Sequence, residues 1–290
     1  MVNNNLSEDS GSGLSILHEF QFSIERVSND SPPSVRKKHH YHNTYELYYL
    51  ISGDRYYFIK DKTYHVKRGN LVLVKPYDIH TTSGVSKIGY DRYLIMFKKS
   101  FIGELAEGAG LNLFESYDKD IHLIELSYQE QSFVESLLSA MINEHKSEAV
   151  GHTDFLRAAM VQLLLITARH ASEAKASADD VVPMNKTVSA VAAYIINSYR
   201  EDITLESISE QFFISPCYFS RTFKRITGLS FTEYLNGVRV KEAQRLLATT
   251  DSSIVEICEA VGYKSTTHFG RSFKSITGMS PTEYRRIKRG

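Results

Sequence analysis

The hydrophobic rhythm of the chain changes twice along its length. Between about Leu14 and Leu126 the apolar residues come in short runs at 45–51, 55–60, 64–66 and 71–74, filled with Tyr, Val, Ile and Phe. The turn-formers Ser52-Gly53-Asp54 and Lys67-Arg68-Gly69-Asn70 separate them. Closely spaced hairpins of this kind predict a small β-barrel or sandwich. From Ser127 the spacing becomes helical, with Phe133, Leu137, Leu138, Met141 and Ile142 on one stripe. Residues 155–168, after Gly151, predict a second helix that is apolar nearly all round. The pair reads as a helical hairpin packed on the barrel, on a second copy of the chain, or on both.

Residues 172–186 (SEAKASADDVVPMNK) are small, polar and charged, and predict a linker. Beyond it every periodic segment is helical. Val188, Val191, Ile195 and Tyr199 line one face of a first helix. Further helices are predicted over 205–213, 216–227, 232–248, 254–261 and 266–277, and a short last one from Pro281. Val238, Leu246 and Leu247 point inward from the longest of them. The first thirteen residues are polar and rich in Gly, Ser and Asn, and read as an arm.

This last segment holds an internal repeat. Residues 218–235 read YFSRTFKRITGLSFTEYL and residues 268–285 read HFGRSFKSITGMSPTEYR, with 11 of 18 positions identical. Ser215-Pro216 and Ser265-Thr266 are helix starts. Ser230-x-x-Glu233, Ser253-x-x-Glu256 and Ser280-x-x-Glu283 are capping boxes. Gly228 and Gly278 are placed to end a helix in the left-handed conformation. Each copy is thus a short helix, a tight turn, a second helix and a glycine stop, which is a helix-turn-helix.

Periodicity sorts the second helix of each copy. Phe219, Phe223 and Ile226 face inward, as do Phe269, Phe273 and Ile276. Cys217, Ser220, Arg221 and Lys224 face outward, as do Thr267, Gly270, Arg271 and Lys274; neither helix carries an acidic residue. An outward arginine near the helix start can grip a guanine edge bidentately. Lys224, Arg225 and Lys274 lie further along, where a phosphate backbone would pass. Thr266 opens the second of the two helices and completes the set of candidate DNA contacts. A solvated basic face would share this pattern in one copy; duplication with matched Arg and Lys makes double-stranded DNA the expected partner.

Charge supports the division. The 290 residues, enough for two domains, have a formal net charge of zero, yet residues 186–290 carry 15 Lys and Arg against 10 Asp and Glu. Residues 1–185 carry 19 against 24. A basic module on an acidic one fits a polyanion-binding half joined to something else. The two cysteines, Cys217 and Cys258, form no metal or redox spacing and read as reduced thiols. No secretory segment is seen near Met1, and the longest apolar run, residues 158–168, is too short to span a bilayer. A cytoplasmic protein with no membrane partner is expected.

The segment 187–290 resembles the DNA-binding domain of the AraC/XylS family of bacterial transcription regulators. The resemblance rests on Ile257-Cys258-Glu259, Gly262-Tyr263, Phe269-x-Arg271-x-Phe273-Lys274 and Gly278-x-Ser280-Pro281-x-x-Tyr284-Arg285. Arg239-x-x-x-Ala243-x-x-Leu246-Leu247 resembles the helix joining the family's two motifs. Phe213 stands where the first motif often has a turn glycine. The resemblance implies a homodimer, contact with RNA polymerase, and control of carbohydrate-use genes, most often activation. Two unlike recognition helices on one frame would enter successive major grooves, about 34 Å apart, and read a directional site.

In the N-terminal half, His40-Tyr-His42-x-x-x-Glu46, with Gly53, Gly69 and His80, resembles a cupin barrel. In metal-binding cupins such residues converge on one ion, which would here be His40, His42, Glu46 and His80. Imidazoles with a carboxylate suit Zn, Fe, Ni or Mn. Four readings stay open: a metal-dependent enzyme, a metal-responsive pocket, a metal-free pocket, or simple core histidines. In the metal-free pocket His42, Glu46 and His80 hold a small polar effector, with Tyr48, Tyr57 and Arg92 as further lining. The family resemblance implies a sugar or sugar derivative there, and no enzymatic activity.

The expected architecture has two domains. An all-β cupin-like barrel with a helical hairpin, for effector binding and dimerisation, covers residues 14–171. An all-α domain with two helix-turn-helix motifs covers residues 187–290.

Overall fold

Two sheets and a helical hairpin make up the N-terminal half. The structure is a computed structural model that describes residues 21–29, 42–84, 89–106, 112–173 and 185–289. Among the described residues eight strands are formed, β1 (Phe22–Asn29), β2 (Tyr45–Ser52), β3 (Arg55–Ile59), β4 (Lys62–Val66), β5 (Asn70–Val74), β6 (His80–Gly84), β7 (Tyr90–Phe97) and β8 (Leu123–Glu125). They make a five-stranded sheet in the order β1-β7-β2-β5-β8 and a three-stranded sheet in the order β4-β3-β6. All pairings are antiparallel.

Alternation along each strand sends side chains to two different cores. Tyr48 and Leu50 of β2, Tyr57 and Ile59 of β3, Tyr64 and Val66 of β4, and Val72 and Val74 of β5 fill the space between the sheets. Leu47, Tyr49, Leu71, Leu73, Tyr93, Ile95 and Phe97 leave by the opposite face. There they meet the helical hairpin, α3 (Tyr128–Ser147) and α4 (His152–Glu173). Two single-turn helices, α1 (Lys99–Ile102) and α2 (Glu115–Asp118), close the same core with Phe101, Ile102 and Tyr117. Because both faces of the large sheet are covered at its middle, β2 and β5 read as nearly continuous apolar runs.

The hairpin packs on the barrel, one of the arrangements expected of it. One stripe differs by a residue. Val134, Leu138 and Met141 are buried at i, i+4 and i+7, while Phe133 is 46% exposed. A capping box from Ser127 and Glu130 starts α3. Helix α4 runs through Ser172 and Glu173, and the next helix opens at Lys186, so these three residues belong to helices rather than to a linker spanning 172–186. They stay helical because Asn185 caps the start of the later helix, and the ordinary helix formers of α4 meet no breaker before Glu173. The arm at 1–13 and residues 174–184 lie outside the described residues.

The C-terminal half forms seven helices among the described residues: α5 (Lys186–Ser198), α6 (Leu205–Gln211), α7 (Pro216–Thr227), α8 (Phe231–Thr249), α9 (Ile254–Ala260), α10 (Thr266–Thr277) and α11 (Pro281–Arg289). Helices α6–α7 and α9–α10 are the two helix-turn-helix pairs. Each has its own core, one around Phe219, Phe223 and Tyr234 and one around Phe269, Phe273 and Tyr284. Helix α8 contributes to both. The left-handed stops fall at Gly228 (φ 79°) and Gly278 (φ 80°), as the sequence predicts.

The two halves touch, which their sequences do not announce. Phe58 of β3 and Ile79, just before β6, join the first helical core. The Tyr234 hydroxyl donates to the carbonyl of Lys60 at 2.6 Å. Gly237 faces Ile79 so closely that a Cβ there would come within 3.0 Å of the Ile79 side chain. Lys241 of α8 donates to the buried carboxylate of Asp78.

Candidate functional site

Two arrangements carry the chemistry, one in each half. In the DNA-binding half, helices α7 and α10 are built alike. Ser215 and Ser265 cap them by accepting from the backbone N–H groups of Tyr218 and His268. Phe219 and Phe223, and Phe269 and Phe273, are buried beneath. Cys217, Arg221, Lys224, Arg225, Thr266, Thr267, Arg271 and Lys274 are exposed, and Ser220 and Gly270 are partly so. Every residue expected to face DNA is therefore on the outer side of its helix. Arg221 leans on its own helix, its Nη2 donating to the Cys217 Sγ at 2.9 Å.

The turn of the first motif follows that of the second despite its different residue. Phe213 takes the left-handed conformation (φ 53°) where the second motif has Gly262 (φ 87°). Phe213 is 95% exposed, so its ring contributes nothing to the core.

Inside the barrel, His42, Glu46, Tyr57 and His80 converge, and each is buried. His42 Nε2 lies 3.1 Å and His80 Nε2 3.4 Å from the same Glu46 oxygen, Oε2. The Tyr57 hydroxyl donates to Oε1. The Nδ1 atoms of His42 and His80 face the carbonyls of Thr44 (3.0 Å) and Asp78 (2.8 Å). Burial alone would push the Glu46 carboxyl up, but the attraction of His80 and the hydrogen bonds from both imidazoles hold it well below its ordinary value. Burial likewise opposes charge on His80, and Glu46 more than offsets it, so its pKa is raised. With Nδ1 donating to a carbonyl, an imidazole can also donate to Glu46 only as imidazolium, which the raised His80 supplies.

The same donor set fits a metal ion. His42, Glu46 and His80 each offer a ligand atom within 4.8 Å of the others. Carbonyls holding Nδ1 and leaving Nε2 inward are the outer shell that metal-ligating histidines commonly have. His40, the fourth expected ligand, lies outside the described residues.

Tyr48 and Arg92, the remaining expected lining residues, stand beside this cage. Tyr48 packs edge-on against Tyr57, with ring centres 5.3 Å apart, and the Arg92 guanidinium lies over the Tyr48 ring at 5.4 Å. Sequence reasoning missed Arg55, which is buried on the inward face of β3. The signal was its parity with Tyr57 and Ile59 on an alternating strand.

A ligand-binding barrel joined to a double helix-turn-helix module defines a class of effector-controlled, DNA-binding transcription regulators. The sequence agrees. Residues 21–164 match the family model of the AraC-like ligand binding domain, and residues 208–287 match that of a helix-turn-helix domain. The chain belongs to the AraC family of transcription regulators. It is 21% identical over 260 residues to the HTH-type transcriptional activator RhaR of Mannheimia succiniciproducens, covering 87% of this chain and 90% of that one. It is 25% identical over 229 residues to the HTH-type transcriptional regulator YfiF of Bacillus subtilis, covering 77% and 71%. Among solved structures, ToxT from Vibrio cholerae O395 aligns over 93% of this chain and 99% of its own, at 15% identity and a TM-score of 0.37. No described helix is long and apolar enough to cross a membrane.

Proposed function

We propose that this regulator activates genes of carbohydrate use in response to a sugar or sugar derivative bound in its barrel. The observation that carries the DNA-binding part is the pair of recognition helices. They share one buried frame and one basic outer face, yet differ at Cys217/Thr267 and Ser220/Gly270. Arg221 and Arg271 are the base readers, and Lys224, Arg225 and Lys274 the phosphate contacts. Unequal readers make the site of one chain directional. The relatives RhaR and RhaS are named transcriptional activators, which supports activation here. Dimerisation through the barrel and its hairpin, contact with RNA polymerase and a cytoplasmic location complete the reading.

Footprinting on the chain's own upstream DNA tests it. Arg221→Ala and Arg271→Ala should each weaken specific binding by about 1–3 kcal/mol and leave non-specific binding in place. Wild-type footprints for both variants overturn the assignment. A thermal-shift screen against sugars, sugar acids and divalent metals tests the barrel. Light scattering with and without effector tests the dimer.

The convergence of His42, Glu46 and His80 supports a second reading, a metal-responsive regulator. There the two imidazoles and the carboxylate would hold a divalent ion. Metal analysis of the purified protein separates the two readings.

A further inference from the structure

The barrel interior holds a second polar group, built around a cation without a counterion. Arg55 is only 6% exposed. On the β3–β6 ladder it pairs with Gly84, while Ile59 pairs with His80. It therefore sits four residues from the level of His80, about 13 Å along the strand, on the same inward face as Tyr57. A guanidinium stays charged at any physiological pH. Yet no carboxylate lies within ion-pair distance of Arg55 among the described residues.

Its visible partners are the Thr82 hydroxyl, 3.2 Å from Nη2, and the Tyr90 ring, 4.3 Å below the guanidinium. Its Nε is buried and makes no hydrogen bond among the described residues. A ring face offsets only part of what removing a cation from water costs. The balance is unfavourable unless an anion enters.

Two neighbours complete a cradle. The Tyr48 hydroxyl is buried and also lacks a partner among the described residues. Burial pushes its phenol up to about 12 although Arg55 and Arg92 both act to lower it. It is thus a neutral donor within the field of both guanidiniums. Arg92, opposite Leu50 in the large sheet, lies over the Tyr48 ring, and its one ion pair among the described residues is a 3.4 Å contact with the exposed Glu25. The Glu46 cage needs nothing from a ligand, because both carboxylate oxygens already have donors.

We propose that the effector is a small organic acid, its carboxylate held by the Arg55 guanidinium and the Tyr48 hydroxyl, with Arg92 as the outer cation. The inference rests on the barrel interior being the effector pocket. A carboxylate suits the donors better than a phosphate, because one edge of Arg55 is partly engaged by Thr82 and a single hydroxyl faces it. The acid neutralises the buried cation and satisfies both orphaned donors.

The test uses the full chain, at constant ionic strength in chloride, with glucuronate, acetate, glucose 6-phosphate and glucose as probes. Glucuronate and acetate should raise the wild-type thermal midpoint by about 2–4 °C at saturating concentration, and glucose should not. Arg55→Met should abolish the rise while unfolding no earlier than the unliganded wild type. Arg55→Lys, which keeps the charge but loses the fork, should raise the half-saturating concentration about tenfold and serves if the Met variant does not fold. A wild-type midpoint unmoved by either acid, or an Arg55→Met response equal to wild type, overturns the acid site. A stronger response to glucose 6-phosphate overturns the choice of carboxylate. A response to glucose alone leaves the effector pocket standing and removes the acid site. Acid binding through Arg55 that leaves DNA affinity unchanged keeps the acid site and removes the effector reading.

Discussion

Lys241, on the helix that joins the two DNA-reading motifs, donates to the carboxylate of Asp78, two residues ahead of His80 in the barrel. The Asp78 side chain is wholly buried, and among the described residues its second oxygen has only the Lys60 ammonium, 3.8 Å away. The Asp78 carbonyl meanwhile accepts from His80. One short segment, Asp78-Ile79-His80, thus touches the Glu46 cage on one side and the DNA-binding half on the other.

Lys241→Ala should destabilise the chain by about 2 kcal/mol. A broken buried pair costs more, but the Lys241 side chain is 39% exposed and solvent repays part of the loss. Asp78→Asn should cost a similar amount, and the double variant should fall short of the sum by about 1 kcal/mol or more. Denaturant unfolding of the four proteins measures this. Strict additivity would show that the contact does not hold the two halves together.

The start of α3 should be sensitive to acid. Burial alone would push the Glu130 carboxyl up, but the Ser127 hydroxyl and backbone and the His170 ring outweigh it and hold it below its ordinary value. A folded pKa below the unfolded one stabilises above the unfolded value, about 4.3, and that stability is lost as pH falls through the folded value. Wild type should exceed Glu130→Gln by about 1 kcal/mol near neutral pH, and the gap should close below about pH 4. Urea midpoints from pH 3 to 7 follow it; a gap that persists in acid contradicts the argument.

Local chemistry made the DNA-binding half legible. Ser215-Pro216 with Gly228, and Ser265 with Gly278, bracket two helices whose bounds agree with the structure to the residue. In the barrel, the resemblance of the His42, Glu46 and His80 spacing to a cupin, with Tyr48 and Tyr57 as further lining, pointed to residues that the structure buries inside. Burial of Phe133 was misjudged because the residues from 133 to 142 offer two adjacent apolar stripes, and only docking on the sheet chooses Val134, Leu138 and Met141. The contact between Asp78 and Lys241 joins residues 163 positions apart, and no periodicity encodes such a pairing. Arg55 escaped because an arginine beside a turn reads as solvated until the second sheet is known to cover it.

Cys217 should report on DNA binding. It is exposed on the outer face of α7, whereas Cys258 is buried with its Sγ turned to the carbonyl of Tyr263. A maleimide should modify one thiol in the native protein. The adduct should abolish specific binding, and prior addition of the target DNA should slow its formation. Cys217→Ser should bind within about twofold of wild type, about 0.4 kcal/mol, and resist the reagent. Full binding by the adduct would mean that this face of α7 does not enter the groove.

The two motif turns share a conformation but should respond oppositely to substitution. Phe213 pays about 1–2 kcal/mol for a left-handed backbone, and its 95% exposed ring recovers nothing. Glycine relieves that strain at an entropic cost of about 0.5–1 kcal/mol, so Phe213→Gly should stabilise by about 0.5 kcal/mol. At Gly262 a Cβ would approach the carbonyl oxygens of Tyr199 and Arg200 to 2.8 Å. The Tyr199 carbonyl cannot easily withdraw, because the buried Arg239 donates to it at 2.8 Å from Nε. Gly262→Ala should therefore destabilise by more than about 2 kcal/mol, from backbone strain and steric displacement together. Denaturation midpoints of the two variants give the comparison; a loss for Phe213→Gly would contradict the strain argument, and a Gly262→Ala loss below about 1 kcal/mol would contradict the steric one.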